Sequence, residues 1–280
     1  MEIIYLIMEK LLPFSWIQYD FMKNAFIAIL IITPLFGMIG TMIVNNNMAF
    51  FSDALGHSAL TGIAIGVILG VKDTDVSMII FAIVFALLLN FIKERKAAST
   101  DTVISVFSSM STAIGLVILS MGGDFSKYSG LLVGDVLSIT PREILMLVII
   151  FIITVCFWLV CFNKLMAISM NESLAASRHI RVSLINNLFA VVIALIVMLS
   201  IKWVGVLIIN ALLILPAAAA RNISENIREY TWFSIVISMF SGIVGLVLSY
   251  SLDTATGPTI VIISAVIFFM TLLSKRFVKG

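Results

Sequence analysis

The sequence predicts an all-α, polytopic integral membrane protein, a helical bundle of about eight or nine transmembrane helices. Hydrophobic residues make up 61% of the chain and charged residues only 11%, whereas about a quarter of the residues in a soluble domain are charged. The mean hydropathy is +1.19. Apolar runs near the roughly 20 residues that a helix needs to cross a bilayer recur along the whole chain.

Nine apolar runs, each bounded by charged or turn residues, occupy most of the 280 residues. Only Lys202 and Trp203 separate the seventh run from its predecessor, and the run contains Pro216, so it is either a ninth crossing or a short, broken helix. No room remains for a large soluble domain. The runs lie near 21–44, 54–70, 76–92, 101–121, 143–162, 185–201, 204–219, 232–250 and 258–275.

Residues 1–20 are expected to lie at the membrane interface, with Trp16 and Tyr19 as anchors, because Glu2 and Glu9 interrupt the apolar run. Residues 21–280 are expected to form a single transmembrane domain.

The distribution of basic residues predicts an N-terminus outside and a C-terminus in the cytoplasm, because cytoplasmic loops are enriched in lysine and arginine. This orientation makes the break at 163–184 a cytoplasmic loop. It leaves 122–142 outside, as either a surface loop or a re-entrant hairpin. Eleven of the 17 basic residues then face the cytoplasm: Lys93, Arg95, Lys96, Lys164, Arg178, Arg181, Arg221, Arg228, Lys275, Arg276 and Lys279.

Asp53 and His57, in the segment FSDALGHSALTGIAIGVILG (51–70), are the main candidates for chemistry. Their spacing places them on one helix face one turn apart, and Thr61 continues the row. Carboxylate and imidazole both bind zinc and manganese, and a charged residue inside a membrane segment indicates function. The alternative is that Asp53 only caps the helix and His57 hydrogen-bonds to a neighbour.

Beside this row lies a second row of small residues at four-residue spacing. Such a row allows another helix backbone to approach closely, although generic membrane packing also uses small residues. A ligand row next to a contact ridge favours a helix that lines a pathway. The ridge consists of Ala54, Ser58, Gly62, Gly66 and Gly70.

Motifs of common enzymes are missing from the sequence. The chain has two histidines and lacks H-E-x-x-H, G-x-S-x-G and the G-x-x-x-x-G-K-[ST] phosphate loop. The residues therefore favour a membrane transporter with a cation site and no ATPase of its own. A self-contained secondary cation transporter and, less favoured, an intramembrane enzyme remain open.

Several segments, taken in order, resemble the metal-ion permease family of ABC importers. Asn45 to Asn47 stand where that family often has arginines, and Ser52 replaces a common glycine. The resemblance covers about residues 13 to 275. Its segments are MAFFSDALGH (48–57), STDTVI (99–104), GDVL (134–137), NESLA (171–175), VGVL to LPAA (204–218) and TGPTI (256–260).

The resemblance implies the permease subunit of an ATP-driven importer of divalent transition metal ions in the bacterial plasma membrane, zinc favoured and manganese next. No intrinsic cofactor and no nucleic-acid partner are expected, and ATP binds to a separate subunit. Further expected partners are an extracytoplasmic metal-binding protein, a second permease copy and membrane lipid. Asp53 and His57 are the implied metal ligands, and the ATPase-coupling residues are Asn171, Glu172, Ser173, Leu174 and Ala175.

Overall fold

Long apolar helices follow one another along the chain and are joined by short connections. The computed structural model describes residues 2–11, 15–71, 73–94, 99–121 and 128–278, and within these ranges it contains helices and no strand. The helices are α1 (Glu2–Leu11), α2 (Asp20–Asn45), α3 (Ala49–Ile68), α4 (Thr74–Glu94), α5 (Thr100–Met121), α6 (Pro141–Met170), α7 (Glu172–Ser177), α8 (Val182–Val204), α9 (Val206–Ile223), α10 (Ile227–Leu252) and α11 (Thr256–Val278).

Eight of the described helices, α2 to α6 together with α8, α10 and α11, are long and apolar enough to cross a membrane. The prediction of an all-helical, multi-pass membrane protein is confirmed. The apolar part of α9, Ile208–Ile223, is shorter. Gly205 separates α8 from α9 with a φ of 91°, a conformation that glycine adopts without strain. Pro216 lies inside α9, and the helix continues beyond it.

The helix boundaries correct the predicted break at 163–184. Helix α6 begins with a capping box, in which the Thr140 side chain accepts from the Glu143 amide and Glu143 accepts from the Thr140 amide. It continues past Lys164 because its apolar face remains buried at Leu165 and Met166. Only residues 171–181 separate α6 from α8, and α7 lies within them.

The N-terminal segment is held against α2 by polar contacts. The buried Lys23 Nζ lies 2.5 Å from Glu9 Oε1 and 3.0 Å from Asp20 Oδ1, and the Tyr5 hydroxyl donates to Asn24 Oδ1. Trp16 is buried in the core, so it does not serve as an interface anchor. Residues 1 and 12–14 lie outside the described part, and the interfacial placement of 1–20 stays a prediction.

The segment between α5 and α6 packs on the corner between α8 and α9. Its described part, 128–140, contains two 3₁₀ turns, Ser129–Leu132 and Val136–Ser138. The Asp135 amide donates to the Lys202 carbonyl. The sequence predicts either a surface loop or a re-entrant hairpin for 122–142, and residues 122–127 of this segment lie outside the described residues. The basic residues Arg95, Lys96 and Lys279 also lie outside them.

Helix α3 carries the candidate ligands Asp53 and His57. It packs against α4, α5, α8 and α9. Within their most apolar stretches, 72% of α3 is buried, against 22% of α5. One side of α5 therefore remains uncovered, next to the helix that carries the candidate ligands.

Candidate metal-binding site

Asp53 and His57 lie one turn apart on the same face of α3. The His57 Nε2 atom is 3.9 Å from Asp53 Oδ1, and both side chains are partly exposed. Met48 occupies the N-cap position and α3 begins at Ala49, so Asp53 lies in the second turn. The alternative in which Asp53 caps the helix is therefore excluded.

Both side chains face an open groove of about 880 Å³ between α3 and α5. On the α5 side the groove presents Asp101 and a row of hydroxyl groups. Oxygen ligands of this kind suit hard and borderline divalent cations. The hydroxyl-bearing residues that line the groove are Thr102, Ser105, Ser108, Ser109 and Thr112.

This second wall of the groove was not predicted from the sequence. The sequence did not predict a role for Asp101 or for the hydroxyl row at this site. A signal was present, because Asp101, Ser105, Ser108 and Thr112 recur at the spacing of one helix face. That this face meets Asp53 depends on packing, which the sequence pattern does not contain.

Thr61 does not line the groove, although it continues the row of Asp53 and His57. It is buried, its hydroxyl donates to the Ser111 carbonyl, and the Ser111 hydroxyl donates to Thr61 Oγ1 at 3.0 Å. At the same level, a Cβ added to Gly115 would lie 2.7 Å from the Thr61 amide nitrogen. Helices α3 and α5 are thus in backbone contact one turn beyond His57.

Four of the five predicted ridge residues, Ala54, Ser58, Gly62 and Gly66, are buried. The ridge meets α4, because a Cβ on Gly62 would lie 2.9 Å from Met78 Cα and a Cβ on Gly66 would lie 2.7 Å from Ser77 Cβ.

Gly70 does not extend the ridge. Helix α3 ends at Ile68, and Gly70 follows with a φ of 65° and no atom within 4 Å of an added Cβ. The Val71 amide donates to the Gly66 carbonyl at the C-terminal end of α3, as in other helices that end at a glycine.

The predicted coupling residues open the short helix α7. The Asn171 side chain caps α7 by accepting from the Leu174 amide at 2.9 Å. Ala175 is buried, whereas Glu172, Ser173 and Leu174 are exposed. One buried alanine thus anchors a helix whose other predicted coupling residues face outward.

The described part of one chain does not complete a metal site. It contains no cluster of three or more histidine, cysteine, aspartate or glutamate residues able to hold an ion, so Asp53 and His57 are two candidate ligands and not a complete set. A tetrahedral zinc ion takes about four. A stable site of this type needs further ligands from other groups or from a second copy.

Comparison with known proteins identifies the family. The model of the ABC 3 transport family matches residues 18–275. The chain belongs to this family. The family assignment made from the sequence is confirmed, and the protein is a multi-pass cell membrane transport component rather than an enzyme.

Individual relatives match over nearly their full length. The high-affinity zinc uptake system membrane protein ZnuB of Haemophilus influenzae is 29% identical over 92% of this chain and 99% of its own. The manganese import system permease protein ScaB of Streptococcus parasanguinis is 28% identical over 91% of this chain and 90% of its own. The fold matches PsaBC from Streptococcus pneumoniae, solved in complex with Fab, with a TM-score of 0.82, 24% identity and coverage of 100% and 99%.

Proposed function

We propose that this family member is the membrane-spanning permease subunit of an ABC importer that takes up a divalent transition metal ion. The observation that carries the proposal is the Asp53 and His57 pair, aligned on α3 and facing the groove beside α5. Relatives named for zinc and for manganese support the same cargo class. The imidazole ligand favours zinc, with manganese next.

The proposed site forms between two copies of the chain. Isologous pairing about a twofold axis brings the same two side chains from each copy together, giving two imidazole nitrogens and two carboxylate groups. This set suits a tetrahedral zinc ion. The uncovered side of α5, which borders the groove, offers an apolar surface for the second copy, with Val106, Met110 and Val117 exposed.

Transport requires the site to release its ion, and two ligands per copy favour release. A conducting site binds well enough for entry and weakly enough for exit. When the copies separate, each retains only two ligands, so the ion loses half of its protein coordination. Asp101 and the hydroxyl row of α5 then supply oxygen atoms along the groove.

Energy for this movement comes from a separate ATP-binding subunit, which contacts α7 in the proposed assembly. The exposed Glu172, Ser173 and Leu174 support this contact. An extracytoplasmic metal-binding protein delivers the ion. The proposed orientation, with the N-terminus outside and the C-terminus in the cytoplasm, makes the shorter helix α9 a ninth crossing and puts α7 on the side where ATP is available.

The test measures uptake of radioactive zinc and manganese by proteoliposomes that contain the complete complex. Asp53→Asn and His57→Ala are each expected to abolish uptake while dimer and ATPase-subunit assembly remain. Asp253→Asn is the matched control, because Asp253 is exposed at the end of α10 in a left-handed conformation that asparagine tolerates. Near-normal uptake by both site variants, at sub-saturating metal, would exclude Asp53 and His57 as ligands of the transported ion. Uptake without the ATPase subunit would instead support the secondary transporter.

A further inference from the structure

An open groove of about 980 Å³ separates α6 from α10 on the surface of the bundle. Both helices pack on α2, and the groove is the space left between them. It shares no lining residue with the groove at the candidate metal site. Because α6 and α10 are both long and apolar enough to cross the membrane, the groove opens at the surface of the protein that lipid covers.

Aromatic and apolar side chains line much of this groove. Trp158 and Phe162 come from α6, with ring centroids 4.9 Å apart, and Trp232 and Ile235 come from α10. Trp232 is 65% exposed, so its indole ring has little protein cover. Tryptophan is enriched where membrane and water meet, because its ring is apolar and its N–H is polar. The lining therefore suits an occupant with an apolar body and a polar end.

The polar end of the groove lies at the first turn of α10. Asn226 caps this helix by accepting from the Glu229 amide at 2.9 Å, and its side chain donates to Glu229 Oε1 at 2.8 Å. Glu229 Oε2 accepts from the Glu225 amide at 3.1 Å, so the helix cap engages both carboxylate oxygens. Arg228 also lines the groove and is exposed. In the part of the chain that the structure describes, no carboxylate lies within salt-bridge distance of Arg228, and its positive charge is left for a ligand.

The charge of Arg228 lies at the depth of lipid headgroups. Helix α10 has 26 residues and is therefore about 39 Å long, whereas the hydrocarbon core of a bilayer is about 30 Å thick. The first turn, which contains Arg228, extends beyond the hydrocarbon. Trp232 and Ile235 follow one and two turns further along the helix, where acyl chains begin. A phospholipid has this same order, with an anionic phosphate followed by apolar chains.

We propose that the groove between α6 and α10 binds one phospholipid molecule. The lipid phosphate pairs with Arg228, and an acyl chain lies against Trp232 and Ile235. A neutral apolar occupant would leave the charge of Arg228 unpaired, and an inorganic anion would leave the aromatic wall uncovered. In the proposed orientation this lipid belongs to the cytoplasmic leaflet. The site is separate from the proposed metal pathway.

The first test measures lipid binding to the full chain by native mass spectrometry, with dioleoylphosphatidylglycerol titrated into delipidated protein. Arg228→Gln is expected to weaken binding of the first lipid about fivefold, the effect of one basic residue near an anionic membrane surface. Arg142→Gln is the matched control, because Arg142 is also exposed as the second residue of a spanning helix and does not line this groove. It is expected to leave that binding unchanged. Equal affinities of the two variants would overturn the proposal.

The second test separates the contribution of the phosphate from that of the acyl chains. Dioleoylglycerol has the same chains without the phosphate, so Arg228→Gln is expected not to change its binding. Trp232→Ala is expected to weaken binding of both lipids, because part of the apolar wall is lost. Phe240→Ala is the control, since Phe240 is an exposed aromatic residue on the same helix that lies outside the groove. The proposal fails if Arg228→Gln weakens binding of both lipids equally, or if Trp232→Ala weakens binding of neither.

The third test determines whether lipid occupies the groove in the assembled complex. A phosphatidylglycerol with a diazirine in one acyl chain is photo-crosslinked to the permease and ATPase subunits in nanodiscs, and the labelled residues are identified by mass spectrometry. Labelling of Phe162 and Trp232 is expected to exceed that of Phe240 several-fold. Equal labelling of Trp232 and Phe240 would indicate an unselective lipid coat, and an unlabelled groove would indicate that another protein segment covers it. Either result contradicts the proposal.

Discussion

Gly115→Ala is expected to separate the two helices that form the walls of the groove. An added Cβ would lie 2.7 Å from the Thr61 amide nitrogen and 2.9 Å from the Leu60 carbonyl carbon, whereas carbon atoms make their best contacts at about 3.5–4.0 Å. Both neighbours are backbone atoms, so no rotamer change relieves the clash. Helix α5 must move away from α3 by roughly 1 Å, which breaks the Thr61 and Ser111 hydrogen bonds.

Overpacking of this kind costs about 1–3 kcal/mol, which lowers Tm by about 2–4 °C per kcal/mol in a chain of comparable size. Thermal unfolding and zinc uptake by the reconstituted complex measure the two consequences. Uptake is expected to fall along with Tm because the groove beside Asp53 widens. Gly130→Ala is the control, since nothing lies within 4 Å of its added Cβ. The same Tm for both variants would refute close backbone contact between α3 and α5.

Two further predictions concern the ridge and α7. Gly66→Leu is expected to destabilise the protein by about 1–3 kcal/mol, because the side chain meets Ser77 on α4; a variant with normal Tm and assembly would contradict a close contact here. Ser173→Cys, in a chain whose own cysteines are replaced by alanine, is expected to react with an impermeant maleimide only from the cytoplasmic side. Thr254→Cys, at the far end of α10, should react only from outside, and the reverse pattern would invert the topology.

The helices were predictable because a bilayer forces each crossing to satisfy its backbone hydrogen bonds internally. Apolar runs therefore correspond to helices with little influence from tertiary contacts. Boundaries were less predictable. The sequence predicts a loop from 163, yet α6 continues through Lys164 to Met170, since a long basic side chain can extend to the interface while its helix stays apolar.

A second row of small residues, on α10, was not predicted, although its spacing of three or four residues is visible in the sequence. Its buried members are Ser234, Ser238, Ser241, Gly242, Gly245 and Ser249. Its members contact two helices, since a Cβ on Gly242 would lie 2.9 Å from Ile29 Cγ2 and one on Gly245 would lie 2.8 Å from Ile260 Cα. No charged residue marks this row, and small residues are common in membrane helices. The row on α3 was predictable as a contact surface because it flanks the polar residues Asp53 and His57.

The part of the candidate site within one helix was predictable, because the four-residue spacing brings Asp53 and His57 together whatever surrounds them. The contacts that hold α3 against its neighbouring helices were not predictable. Three contacts on different sides hold α3: the glycine ridge against α4, the Thr61 bonds to Ser111 on α5, and the Ser52 hydroxyl, which donates to Asn210 on α9 at 2.6 Å.

Sliding α3 alone would break all three of these contacts at once, two of which involve backbone atoms that cannot rotate away. Asp53 and His57 therefore belong to a packed unit of several helices. The face of this unit that holds the candidate ligands is also the one left open beside α5. We therefore expect the ion's access to change through movement of one permease copy against the other, and not through movement of α3 within its own bundle.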